Sequence, residues 1–147
     1  MRAMALDVGQ RRIGIALSDP DGSLAYARGV IKRGKLNHDL DEIAAVVEEE
    51  EVEVVVVGLP RSLDGTLGPQ AERVQRFADP LRQRLSVPVE FWDERLSTVA
   101  ANRALEEAGV PARERRERID AAAAALILQA YLDYRRYRNI ANDAEED

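Results

Sequence analysis

The segment Val52-Glu53-Val54-Val55-Val56-Val57, closed by Gly58-Leu59-Pro60, constrains the fold more than any other part of the chain. A β-branched run of this kind predicts a strand that is apolar on both faces, and such a strand has to be covered from both sides. The flanking sequence supplies the covers. From Leu36 to Glu51 the apolar positions Leu40, Ile43, Ala44, Val46 and Val47 recur at helical spacing, with acids on the other face. Pro69 stands where the first turn of a helix to about Leu85 is expected, with Pro80 expected to interrupt or kink it. Upstream, residues 3 to 8 and 13 to 18 predict two strands joined by the tight turn Gly9-Gln10-Arg11-Arg12, and the run Leu24 to Ile31 follows the turn signal Asp19-Pro20-Asp21-Gly22. Downstream come a strand from Val87 to Trp92 and a helix capped by Ser97 or Thr98 that reaches Ala108. After the break Gly109-Val110-Pro111 and an arginine-rich stretch, a last helix is expected from about Ile119 to Arg136.

The order β-β-β-α-β-α-β-α-α predicts an α/β fold: a mixed central sheet of three antiparallel strands followed by parallel strands, with helices on both faces. A chain of 147 residues supports one core of this kind, expected over residues 1–138. Residues 139–147, polar and acidic, are expected to form a disordered tail.

Composition removes several chemistries. With no cysteine there is no thiolate nucleophile, disulfide or cysteine-based metal site, and with His38 as the only histidine any Ser–His relay would have to run through that one residue. The 27 acidic residues make carboxylate chemistry the expected alternative. No apolar run approaches membrane-spanning length and Asp7 comes too early for a signal peptide, so a cytoplasmic protein with no membrane partner is expected. The net charge of −6 is unevenly spread: residues 1–38 carry seven Lys or Arg against three acids, whereas residues 39–53 carry eight acids and no base. Local basic surface therefore coexists with an acidic total.

In an alternating sheet, reactive groups gather at the carboxyl ends of the strands. Asp7 lies within an apolar strand, where a carboxylate is costly unless it pairs or binds a cation. Asp93 and Glu94 follow the strand ending at Trp92, and Asp120 lies in the first turn of an alanine-rich helix. Helix-dipole stabilisation alone would account for Asp120, and an ion pair with Arg95 for Glu94. Acids converging from separate elements repel unless a divalent cation such as Mg²⁺ or Mn²⁺ joins them. The loop Arg61 to Gly68 could cradle phosphate but lacks the Gly-Lys-Ser/Thr of a P-loop. Arg113, Arg115, Arg116 and Arg118, alternating with Glu114 and Glu117, are expected as a flexible cationic segment suited to a nucleic-acid backbone.

The blocks Leu6-Asp7-Val8-Gly9, Arg12-Ile13-Gly14-Ile15-Ala16-Leu17-Ser18-Asp19, Val57-Gly58-Leu59-Pro60 with Asp64-Gly65, Asp93-Glu94-Arg95-Leu96-Ser97-Thr98, and Ile119-Asp120 with Ala122-Ala123 and Ile127-Leu128-Gln129 closely resemble the YqgF (RuvX) family over about residues 3 to 134. The resemblance implies an RNase H-like fold related to the RuvC Holliday-junction resolvases. It also implies a nuclease dependent on Mg²⁺ or Mn²⁺, assigned to 5′-end maturation of pre-16S rRNA and earlier to junction resolution. By position, Asp7, Glu94 and Asp120 would be the catalytic, metal-holding acids. Glu94 takes the role of the RuvC-type acid, because Gly58-Leu59-Pro60 stands at the end of the central strand. Arg12, Arg61, Arg95, Arg113, Arg115, Arg116 and Arg118 would hold phosphates of pre-rRNA, or of single-stranded or branched DNA, without reading sequence.

Three rivals differ in kind. A four-way-junction endonuclease would need two symmetric sites and hence a homodimer rather than a monomer. A non-catalytic nucleic-acid-binding module would use the acids only for folding. An actin-like kinase shares an Asp-x-Gly first strand but clamps its nucleotide between two such domains, and this chain has length for one.

Overall fold

The computed structural model describes residues 1–62, 64–96 and 112–146, with side chains described from 121 to 141 in the last of these segments. The strands are β1 (Ala3–Val8), β2 (Arg12–Ser18), β3 (Ala25–Lys32), β4 (Val54–Leu59) and β5 (Val89–Asp93). The helices are α1 (Leu36–Glu49), α2 (Pro69–Arg84) and α3 (Ala112–Glu146), and one 3₁₀ turn, Glu94–Leu96, follows β5.

The strands form one sheet in the order β3-β2-β1-β4-β5, antiparallel through β3-β2-β1 and parallel through β1-β4-β5. This is the mixed sheet that the alternation of segments predicts. Both faces of β4 are buried along its whole length, as its valine run requires. On one face Met4, Leu6, Val8, Val55 and Val57 pack with Leu40 and Ile43 of α1 and Val74 and Phe77 of α2. On the other, Ala3, Ala5, Ala16, Val54, Val56 and Trp92 pack with Ala123, Ala124, Ile127, Leu128, Tyr131 and Leu132 of α3. Half of the sheet residues in this second cluster are alanines, so α3 lies close against it. Gln129 ties the two layers: its amide accepts from Ala25 N (2.9 Å) and donates to Ser23 O (3.0 Å).

Three local outcomes differ from the sequence expectation. Strand β4 begins at Val54 rather than Val52, because Val52 N donates to Val47 O to close α1 and Glu51 takes a left-handed backbone with φ 54°. At its other end the strand continues through Gly58 to Leu59, both paired with β5. Helix α2 runs unbroken through Pro80. Helix α3 begins at Ala112 and ends at Glu146, so the arginine-rich stretch and the acidic tail are both helical. Arginine and glutamate are strong helix formers, and the pairs Arg113/Glu117 and Glu114/Arg118 have the i,i+4 spacing that supports a helix. The helix expected from Ser97 or Thr98 to Ala108 lies outside the described residues.

Candidate active site

Strand register sets one row of positions across the face that α3 covers. Asp7 pairs with Gly14 of β2, Leu6 pairs with Val57 so that Asp7 is followed across the ladder by Gly58, and Gly58 pairs with Trp92 of β5. Alternation places Asp7 on the same face as Ala3 and Ala5, which pack against α3. The half-buried Asp7 is thus flanked on both sides by glycines.

Glu94 reaches the same row from beyond the end of β5. A Cβ added at Gly58 would lie 3.2 Å from Glu94 Oε1, 3.3 Å from Glu94 Cγ and 2.6 Å from Ile127 Cδ1. The Glu94 carboxylate therefore occupies the space a side chain on Gly58 would need. Since neighbouring strands are about 4.8 Å apart, it sits beside the Asp7 position. Gly58 is a seat for Glu94 and for α3, and that close approach explains the glycine at the end of an otherwise valine strand.

The neighbours of Glu94 hold it there. Arg95 Nε donates to both oxygens of Asp93 at 3.0 Å, Arg95 Nη2 donates to Asp93 Oδ2 at 2.5 Å, and Arg95 N donates to Asp93 Oδ1 at 3.0 Å. These bonds pin the backbone on either side of Glu94. They also hold the Asp93 carboxyl below its ordinary range, first through the Arg95 side chain, with Arg61 adding to the same effect. Arg95 lies against the turn at Gly65, where an added Cβ would be 3.2 Å from its Nη1. That turn is closed by Asp64, whose carboxylate accepts from Thr66 N (3.0 Å) and Oγ1 (2.7 Å) and is held low in pKa by those bonds. Arg61 Nη1 donates to Gly65 O at 3.3 Å. The loop after β4 thus spends its polar groups largely on its own fold. Asp19 is likewise structural: it caps the β2–β3 turn by accepting from Ser23 Oγ at 2.8 Å and Leu24 N at 3.1 Å, and the Ser23 bond lowers its pKa well below the usual carboxylate range.

Asp120 is a residue of the α3 backbone, seven positions before Ile127, and its side chain lies outside the described residues, as do those of Arg113, Arg115, Arg116 and Arg118. Among the described residues no three His, Cys, Asp or Glu side chains come together as a ligand set. Asp7 and Glu94 are the oxygen donors brought side by side. His38 is 65% exposed and stands next to Glu42 on α1, away from them.

The RuvX family, described as Holliday junction resolvase, matches residues 1–134. The chain belongs to the RuvX family. A Halothermothrix orenii protein named "Putative pre-16S rRNA nuclease" is 48% identical over 134 residues, covering 91% of this chain and 96% of that one. A Clostridium kluyveri protein of the same name is 45% identical over 133 residues, covering 90% and 97%. Among solved structures, Thermus thermophilus RuvC in complex with a Holliday junction substrate has the same fold, with a TM-score of 0.58, 15% identity and coverage of 91% of this chain and 96% of that one. The RNase H-like fold expected from the RuvX resemblance is thereby established. Among the described residues no helix is long and apolar enough to cross a membrane.

Proposed function

We propose that this RuvX-family chain is a cytoplasmic, divalent-metal-dependent nuclease acting in 5′-end maturation of pre-16S rRNA, with Asp7, Glu94 and Asp120 as its catalytic, metal-holding acids in a single domain over residues 1–138. The observation that carries this reading is the seating of the Glu94 carboxylate over Gly58, beside Asp7. Two acids held at neighbouring positions above an alanine-rich face repel one another, and a hard cation with oxygen ligands offsets that cost. The donors are carboxylates from separate elements, with no thiolate or imidazole beside them, which suits Mg²⁺ or Mn²⁺. Position 120 stands about two helical turns before Ile127, the residue that packs on Gly58, and this spacing supports Asp120 as the third acid.

When bound, the ion supplies an activated water and charge stabilisation of the leaving 3′-oxygen in an in-line displacement. The chain's own part is positional. Asp7 is fixed by its pairing with Gly14 of β2, Glu94 by the Asp93–Arg95 clamp, and Ile127 and Trp92 form buried apolar surroundings on the same face. Arg12, Arg61 and the arginines of the first turns of α3 are assigned to phosphate. Arg95 is assigned to Glu94 positioning, since its Nε and Nη2 are taken up by Asp93.

The family's description as a resolvase favours a second reading, cleavage of four-way DNA junctions, which needs two sites and hence a dimer. Cleavage of end-labelled single-stranded RNA, single-stranded DNA and junction DNA by wild-type protein with Mg²⁺ and with Mn²⁺ separates the two. Cutting of RNA by a monomer supports pre-rRNA maturation, and paired symmetric cuts in the junction alone overturn it.

A further inference from the structure

A cleft of about 420 Å³ opens on the opposite side of the sheet end, between the β1–β2 turn and the N-terminal half of α2. Arg11, Arg12, Arg33, Arg73 and Gln70 line it, and among the described lining residues there is no acid. Arg33 is built into its floor: Nη1 donates to Gly9 O at 3.0 Å, Nε lies 3.7 Å from Oδ2 of the fully buried Asp39, and the guanidinium stacks 4.9 Å from the Phe77 ring. Asp39 offsets the charge of Arg33. Arg11 and Arg73, both exposed, remain as cations presented from two separate elements.

The chemistry of the lining selects the ligand. Its apolar part is Val8 and Val74, with no aromatic ring for a base to stack on, while guanidinium and amide groups supply charge and hydrogen bonds. This suits a phosphodiester rather than a nucleoside. The place is also specific. Val8 and Gly9 of the cleft follow Asp7 directly, so the cleft wall begins about 3.3 Å along the strand from Asp7, or about one nucleotide of helical rise. Alternation turns Val8 to the α2 side and Asp7 to the α3 side, so a strand crossing the β1–β2 turn would pass from one to the other.

We propose that this cleft is a second phosphate subsite, holding the backbone of the substrate strand beyond the scissile bond through Arg11 and Arg73. It rests on the nuclease reading above. The test is binding of fluorescently labelled single-stranded RNA to the full chain in EDTA, followed by anisotropy over a series of KCl concentrations, for wild type, Arg11→Ala/Arg73→Ala and Arg84→Ala. Arg84 lies at the far end of α2 beside Asp41 and serves as the control. Each single-strand phosphate contact contributes about 0.7 to the slope of log K against log salt. The double variant is expected to bind more weakly with a slope shallower by about 1.4, while Arg84→Ala keeps the wild-type slope. An unchanged slope in the double variant, with wild type binding RNA normally, overturns the subsite and leaves the nuclease reading standing. Loss of inorganic phosphate binding in the double variant without a change of RNA slope marks a small-anion site and also overturns it. Absence of any nucleic-acid binding by wild type overturns both.

Discussion

Gly58→Ala tests the seat directly. The new methyl would lie 2.6 Å from Ile127 Cδ1, and Ile127 is fully buried between α3 and the sheet, so the contact is relieved only by moving packed atoms. Overpacking of one methyl in a tight core costs about 1–3 kcal/mol. Loss of unfolded-chain freedom on replacing glycine returns about 0.4–1 kcal/mol. A net destabilisation of about 1–2 kcal/mol is expected, which for a domain of this size lowers Tm by roughly 3–6 °C. The same methyl meets Glu94 Oε1 at 3.2 Å and Cγ at 3.3 Å, so the carboxylate must shift by a few tenths of an ångström, and metal-dependent cleavage should fall by more than the loss of folded protein explains. The two effects separate in Gly58→Ala/Ile127→Val. Removing Cδ1 costs about 0.5–1.5 kcal/mol alone but relieves the clash, so the double variant should be more stable than the sum of the singles, while cleavage stays low because Glu94 is still displaced. Differential scanning calorimetry and a cleavage assay on the four proteins read both quantities. Additive destabilisation, or wild-type Tm and activity in Gly58→Ala, would refute the packing argument.

The Asp93–Arg95 clamp predicts a pH signature. A carboxylate whose pKa is lowered on folding contributes stability that is present above its ordinary value near 3.8 and is lost as pH falls through the lowered one. Wild type should therefore lose stability below about pH 4, with Arg95→Ala losing less over that window and its Asp93 carboxyl resonance titrating higher by NMR. Identical titration curves would refute the clamp. Asp39→Ala removes the acceptor for Gly34 N (3.0 Å) and the counter-charge of Arg33, whose other contacts keep the loss moderate, and is expected to cost about 2–3 kcal/mol. Urea denaturation with an unchanged m-value and a lower midpoint is the expected result, and an unchanged midpoint refutes it.

The sheet and its two covers were legible because periodicity is a local property: the valine run of β4 and the stripe of α1 report burial on both faces and on one face. Asp7 stood out because a carboxylate among apolar strand residues needs a reason. The seat at Gly58 was half legible. The central strand ends in Gly58-Leu59-Pro60 where a RuvC-type acid would stand, but only strand register and the path of Glu94 make that glycine the place the carboxylate rests. Arg95 looked like a phosphate ligand because composition does not say where a guanidinium turns, and here it turns back to Asp93. Arg73 gave no signal at all, since an arginine on the polar face of α2 is ordinary until the fold brings the β1–β2 turn beside it. The charge of the arginine-rich stretch suggests a flexible segment, whereas helix propensity and i,i+4 spacing decide its backbone.

The most direct test of the account is Asp7→Asn, which keeps the shape of the side chain and removes its charge. The measurement is cleavage of labelled single-stranded RNA with Mn²⁺, alongside RNA binding in EDTA and the thermal melt of the same preparation. Cleavage is expected to be abolished while binding and Tm stay close to wild type, because the β1–β2 pairing at Asp7 is made by the backbone. Full cleavage by Asp7→Asn would contradict it.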